Sequence, residues 1–377
     1  MSEPWGVILT ASYGHGHNVA SQAIIDCCQQ IRPGIRFEMI DYFNTFVSKL
    51  YATATTISYV QSVKRAPYFY GLFYDLTSQV KPNSSAQRGI NALGKTNFAE
   101  WYRRNKPSVI ICSYPTPAGS IRELKDEGVI DAALAIVVTD YALHSQWVHP
   151  GADLTCVGAS FLKEALIGRG LDPDDVMVSG IPISAKFRCD YDKAEERRKW
   201  GLRQDRPVVL VMSGAFGMMR GLFEVMRVLR REPDVQAVFV CGHDRRSLGV
   251  MTRATEPYRD RMQVLPFTDK VHELMTAADL IVTKAGGITV TEALVTGLPM
   301  LIHRPIHGQE YRNLTYLSEC GAAVGARNGR ALARLFPSLV HSPEELRRMR
   351  EAGLRVARPN AARDIAQAII GLMDRGR

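Results

Sequence analysis

From Leu280 to Asn313 the chain reads LIVTKAGGITVTEALVTGLPMLIHRPIHGQEYRN, and residues able to do recognition chemistry crowd together in it. The small residues Ala285, Gly286 and Gly287 stand where a helix is about to open. They let a ligand approach free main-chain N–H groups at the positive end of a helix dipole, which suits a phosphate. Glu292, a little further along, would repel a phosphate held beside it but is well suited to accept hydrogen bonds from a ribose diol attached to that phosphate. Gln309 and Glu310 bring donors and acceptors that can read the hydroxyls of a sugar. The combination points to a nucleoside diphosphate carrying a sugar; the alternative is an ordinary strand-turn-helix with polar residues on its surface.

The elements that must position these groups are legible around them. Leu280 to Thr283 is a short apolar run of the kind a buried parallel strand needs. From Ile288 to Thr296 the spacing of Val290, Leu294 and Val295 is helical, with Gly297 as the stop and Pro299 just beyond. Met300 to His303 is a second strand, and His307 to Glu310 a second loop from which another helix starts. Two ligand loops therefore sit at one sheet edge.

A second constellation lies at the other end of the chain. Trp5 to Thr10 is an apolar strand, and Ala11 to Asn18 forms a glycine-containing loop entering a helix that carries Ala20, Ala23, Ile24 and Cys27. This is the first strand-loop-helix of a doubly wound sheet, in which ligands bind at the strand C-terminal ends. A dinucleotide fingerprint is excluded, because Val19 stands where the third glycine would fall, and there is no GK[ST] phosphate loop. His15 and His17 either cap the helix or offer an imidazole that takes a proton near neutral pH. Strands at Phe37–Asp41, Ser108–Cys112 and Leu134–Thr139 follow, with Asp140 just past the last, placed to orient a histidine or an acceptor hydroxyl or to cap a helix.

The region from Tyr42 to Glu100 is the least sheet-like. Phe46, Leu50, Ala54, Ile57 and Val60 have helical spacing, and the aromatic run Tyr68 to Tyr74 lies close to Lys64 and Arg65. It reads either as an interfacial segment lying in lipid headgroups or as a helical hairpin in a core. Arg188 to Arg206 is a charged connector, after which Pro207–Met212, the loop Ser213–Gly217 and a helix repeat the first unit's logic. Ala237 to Cys241 is the next strand, ending at Gly242. Asp172-Pro173-Asp174 and Asp190-Tyr191-Asp192 match a loose acidic metal pattern, but each sits in a polar turn.

Composition sets the outer bounds. A chain of 377 residues, 46% hydrophobic and 23% charged, is comfortable as two globular domains. No secretory signal and no uncharged apolar stretch long enough to span a bilayer is expected. Seven scattered cysteines without a CxxC argue against a disulfide framework or a zinc site and make the cytoplasm the default compartment. The formal charge of +9 fits an anionic membrane surface, a nucleic acid or a solvated face without a role, and the absence of RNA-binding aromatic motifs puts nucleic acid last.

The pattern KAGG-x-T-x-x-EAL-x-x-GLPM followed by P-I-x-GQE-x-x-N resembles the donor-binding motif of the GT-B glycosyltransferases that make monogalactosyl- and glucosyl-diacylglycerols, which are similar in turn to the bacterial N-acetylglucosaminyltransferase of peptidoglycan precursor synthesis. The resemblance implies an α/β fold of two Rossmann-like doubly wound domains facing a cleft. The expected boundaries are an N-terminal acceptor-binding, membrane-facing domain over 1–187, a linker over 188–206, a donor domain over 207–355, and a final helix in 356–377 crossing back to the first domain. It implies a loop ending Gly16-His17, with His17 as the base and Asp140 second to it. On the donor side it implies Gly16 from that loop, Ser213, Gly214, Gly242, Phe267, Val271, Ala285, Gly286, Gly287 and Thr289 around the UDP, Glu292 on the ribose, and Gln309 and Glu310 on the sugar. The reaction expected is inverting transfer of galactose or glucose from UDP-galactose or UDP-glucose to a diacylglycerol-type lipid, without metal or cofactor, by a cytoplasmic enzyme held peripherally at an anionic membrane surface on the inner face of the cell membrane, with no nucleic-acid partner. Rival readings are a polyprenyl-diphosphate or other acceptor, a UDP-sugar epimerase, and a nucleotide-binding membrane-associated module without catalysis.

Overall fold

A computed structural model describes residues 4–11, 15–47, 77–78, 84–214 and 221–375. The aromatic run Tyr68 to Tyr74 and the spacing from Leu50 to Val60 lie outside the described residues, as do Ser12, Tyr13 and Gly14. The chain divides into two compact units, Met1–Ser184 together with Asn360–Arg377, and Ala185–Pro359.

The first unit holds six strands, β1 (Trp5–Thr10), β2 (Arg36–Asp41), β3 (Val109–Cys112), β4 (Ala133–Val137), β5 (Leu154–Val157) and β6 (Val176–Val178). They form one parallel sheet in the order β2-β1-β3-β4-β5-β6. The inner strands read VIIC and LTCV, buried at every position, because a parallel sheet is covered on both faces and needs continuous apolar runs rather than alternation. The order reverses between β1 and β3, and the helices that follow those two strands pack into different cores, the arrangement in which doubly wound sheets take ligands at strand C-terminal ends. One face of the sheet is closed by the helix His15–Ile31 and by a helix from the far end of the chain, Ala361–Arg375. Ile24 and Cys28 share a core with Ile365, Ala366 and Ile369, and Arg32 grips Asp374 at 2.6 and 3.1 Å.

The second unit repeats the plan with β7 (Val208–Met212), β8 (Gln236–Val240), β9 (Met262–Leu265), β10 (Leu280–Thr283), β11 (Met300–His303) and β12 (Ala323–Ala326). All are parallel, in the order β12-β11-β10-β7-β8-β9, and the reversal falls between β7 and β10. The charged stretch 188–206 carries a helix, Lys193–Lys199, inside this unit. Its Arg197 is buried because the guanidinium is fully used: Nε donates to the Ala277 carbonyl at 2.9 Å and the outer nitrogens to the Gln204 carbonyl at 3.1 Å and to Asp279 at 2.6 Å.

Candidate functional site

In the first unit His17 sits in the opening turn of the helix that follows β1, beside Gly16. Its Nδ1 lies 2.8 Å from the carbonyl oxygen of Ser113, the first residue after β3, and 3.1 Å from the hydroxyl of Thr139, past the end of β4. A carbonyl oxygen can only accept, so Nδ1 carries the ring proton and Nε2 keeps the lone pair. The strand order therefore delivers one tautomer: β1, β3 and β4 are neighbours, and a backbone carbonyl past β3 and a side-chain hydroxyl past β4 converge on the imidazole that follows β1. Tyr114 packs its ring edge-on at 5.1 Å between centroids. Burial lowers the His17 pKa to about 4, against which the Ser113 hydrogen bond acts weakly, so the ring is neutral across the physiological range. The helix entry is held by Thr10, whose hydroxyl donates to Asn18 at 2.8 Å, and by Ser21, which donates to the Ser113 hydroxyl at 2.9 Å. Asp140 follows Thr139 directly and is buried.

In the second unit β10 runs into Lys284, Ala285 and Gly286, and the helix Gly287–Thr296 begins there, with Thr289 in its first turn. The Gly286 N–H is turned back onto the Lys284 carbonyl at 3.0 Å, which makes the sharp bend from strand to helix. Glu292 lies further along this helix and is 8% exposed. Among the described residues no side chain or backbone group bonds its carboxyl, and burial pushes its pKa up to about 8. A carboxyl taken so far out of water without a partner is a group waiting for one.

Around it the loops at the same sheet edge are tied together. Asn313 donates to the Ala285 carbonyl at 2.9 Å, joining the β10 loop to the helix Gln309–Glu319. Glu310, in the first turn of that helix, accepts from the Ile306 N–H at 3.1 Å and lies 3.5 Å from the Lys284 ammonium. Gln309 is its half-buried neighbour. After β7, both the Ser213 hydroxyl and its backbone N–H donate to the Val240 carbonyl, each at 3.2 Å, so both donors are committed to the neighbouring strand. Gly214 follows with φ 76°, and a Cβ there would stand 3.0 Å from the Lys284 Cε. In the first turn of the helix Leu222–Leu229, Glu224 binds the Arg304 guanidinium through both oxygens, at 2.6 and 2.8 Å, and His303 Nε2 at 2.9 Å. At the end of β8, Gly242 turns with φ 65°, and the next ring, His243, stacks on Phe267 at 4.3 Å with 13° between planes. Val271 opens the short helix beyond.

The structure thus gathers Gly16 and His17 with Asp140 at the edge of the first sheet. It gathers Ser213, Gly214, Ala285, Gly286, Gly287, Thr289, Gln309 and Glu310 at the edge of the second, with Glu292 inside the helix that starts there and Gly242, Phe267 and Val271 around β8 and β9. It adds Ser113, Thr139 and Lys284. The first two escape a sequence reading because a serine after a strand looks like any turn, whereas a lysine between a buried strand and a glycine pair is a signal in its own right. Asp172 and Asp192, from the two acidic patterns, accept from the backbone N–H groups of Asp174 and Glu195 as helix caps. Among the described residues no cluster of His, Cys, Asp and Glu could hold a metal ion, and no helix is long and apolar enough to cross a membrane.

Residues 17–183 match the monogalactosyldiacylglycerol (MGDG) synthase family, and residues 192–356 the glycosyl transferases group 1. A processive diacylglycerol β-glucosyltransferase of Bacillus pumilus is 28% identical over 345 residues, covering 92% of this chain and 89% of its own. The fold is shared with Acinetobacter baumannii MurG, with a TM-score of 0.59 at 15% identity over 98% of this chain and 100% of that one. It is shared too with S. aureus MnaA in its UDP co-structure, with a TM-score of 0.66 at 13% identity over 98% and 97% of the two chains.

Proposed function

This chain belongs to the GT-B glycosyltransferases, built from an MGDG-synthase domain followed by a group 1 glycosyltransferase domain, and from that premise we propose that it moves glucose from UDP-glucose to the hydroxyl of a diacylglycerol with inversion at the anomeric carbon. The observation that carries the reading is that the chain holds both a neutral His17, its Nδ1 proton committed to Ser113, in its first unit and, in the helix Gly287–Thr296 of its second, a buried Glu292 without a hydrogen-bond partner among the described residues. The curated relatives are named for diacylglycerol and for a β-glucoside. Nucleotide-linked glucose is an α-glycoside, so a β-product is a single displacement with inversion.

In that displacement His17 Nε2 takes the proton of the acceptor hydroxyl as its oxygen attacks the anomeric carbon. The C1–O bond to the diphosphate breaks, and UDP leaves with the electron pair. Main-chain N–H groups at the start of the helix Gly287–Thr296 and at Gly214 meet the growing negative charge, so transfer proceeds without a metal. Glu292 accepts from the ribose hydroxyls, Phe267 with His243 behind it offers a face for the uracil, and Gln309 and Glu310 meet the hydroxyls of the hexose. The acceptor is met at the membrane surface by the first unit.

The test is UDP release by the purified protein from UDP-glucose and UDP-galactose separately, with and without diacylglycerol in mixed micelles, each with EDTA in parallel. Lipid-dependent release from UDP-glucose that survives EDTA and yields a β-glucosyl-diacylglycerol is the expected result. Release that needs another acceptor, or UDP-sugar turned over without lipid, would overturn the acceptor half, and inhibition by EDTA would overturn the metal-free displacement.

A further inference from the structure

Lys284 is the first residue past β10, at the point where the second sheet reverses, and its side chain reaches across to the neighbouring strand's loop. There it lies over Gly214, with Nζ 3.8 Å and Cε 3.0 Å from where a Cβ on that residue would stand. A Cβ there would press on the lysine side chain, and the φ of 76° itself favours glycine. The ammonium is thus suspended between the two loops that leave β7 and β10, beside the start of the helix Gly287–Thr296, and its partner among the described residues is Glu310.

The pair is loose. At 3.5 Å the two groups are at the long end of a charged contact, and both are partly exposed. Glu310 is held in place independently by the Ile306 N–H, so it keeps its position and one hydrogen bond if the lysine departs. Glu292, in the helix Gly287–Thr296 and more than nine-tenths buried without a hydrogen-bond partner among the described residues, is a separate sign that a ligand completes this edge.

We propose that Lys284 is the cation that binds the donor diphosphate, and that it exchanges Glu310 for a phosphate oxygen as the donor arrives, releasing the Glu310 carboxylate to the hexose. This rests on the UDP-sugar reading above. A diphosphate carries more charge than one carboxylate and draws the ammonium to it. Glu310, left without its cation, then accepts hydrogen bonds from sugar hydroxyls. UDP takes the lysine without supplying those hydroxyls, so the exchange makes recognition of the phosphate and of the hexose depend on one another.

The experiment is calorimetric titration of uridine, UDP and UDP-glucose into wild-type protein and the K284M, K284R and E310Q variants. K284M should bind uridine like the wild type and lose roughly tenfold to hundredfold in UDP affinity, with K284R keeping part of it. E310Q should bind UDP as well as or better than the wild type, having lost the competing carboxylate, and UDP-glucose less well. Unaltered UDP binding by K284M would overturn the assignment. So would an E310Q that weakens UDP as much as K284M does, since the pair would then be a brace between loops. K284Q gives the same comparison should K284M not fold. A wild type that binds no UDP at all would overturn the donor reading, and this inference with it, whereas wild-type binding unaffected in K284M and K284Q overturns this inference alone.

Discussion

The two sheets share a parallel architecture and each places candidate residues, His17 in the first and Lys284 in the second, where the strand order reverses, yet the two reversal points are built from opposite materials. At the first, one imidazole is made neutral and fixed in one tautomer by a carbonyl, a hydroxyl and an aromatic ring. At the second, a lysine, a carboxylate and glycine-opened main chain gather beside a helix start that is ready for charge. Substitutions at the first edge should therefore change turnover and leave UDP binding alone, and substitutions at the second should change UDP binding.

The hardest test of that division is His17→Ala. Turnover is expected to fall by roughly 10²- to 10⁴-fold, the usual worth of a general base, with UDP affinity unchanged by calorimetry. An equal loss in both would erase the difference between the two edges. In the wild type the acidic limb of kcat, read at saturating UDP-glucose so that donor binding does not enter, should fall near pH 4, where burial has put the His17 pKa, and not near the ordinary 6.5.

Glu292→Gln comes next in size. A diol donates best to an ionised carboxylate, and the free protein holds the Glu292 proton up to about pH 8. UDP affinity in the wild type should therefore rise between about pH 7 and about pH 9, while in the variant it should be weaker by roughly tenfold and flat. Stability runs the other way. A carboxyl whose folded pKa is raised contributes stability below its ordinary value of 4.5 and loses it as pH rises through 8. Unliganded E292Q should be the more heat-stable protein at about pH 9, on the order of a few kcal/mol at most, with the gap closing toward pH 5. A wild type as stable as the variant throughout would mean that Glu292 finds a partner without ligand.

The smallest effect is expected of Thr139→Val. It removes one oxygen from the His17 N–H and leaves the Ser113 carbonyl in place. A turnover loss of roughly two- to tenfold with an unchanged KM for UDP-glucose marks Thr139 as a positioning residue. A shift of the acidic limb with no loss of turnover would assign it to tuning the ring instead.

How far the sequence reveals these edges depends on how local their causes are. The loop after β10 is legible because everything that makes it is contiguous: an apolar strand, the pair Gly286-Gly287, helical spacing, the Gly297 stop and Pro299. The clamp on His17 is not, because Ser113 and Thr139 are far away in sequence and meet it only through strand order. Reading Thr139 as the end of a strand hid its role; β4 stops at Val137, which frees the hydroxyl to turn to the ring. The stretch 188–206 reads as a charged connector because its charges dominate, yet Arg197 is buried by hydrogen bonds to Ala277 and Asp279, partners that no local pattern announces. Lys284 was in plain view in the KAGG pattern, but its nearness to Gly214 and Glu310 belongs to the fold alone.

The helix Ala361–Arg375 lies on the first sheet although residues 185–359 make the second unit in between. On the ribosome, then, the first unit begins to emerge first and is finished last. Until residues 361–375 are made, Ile24, Cys28 and the strand face beneath them have no cover, while the second unit already has its whole sequence. Folding is out of order with synthesis, and the nascent chain spends that interval with apolar surface open to a chaperone or to aggregation.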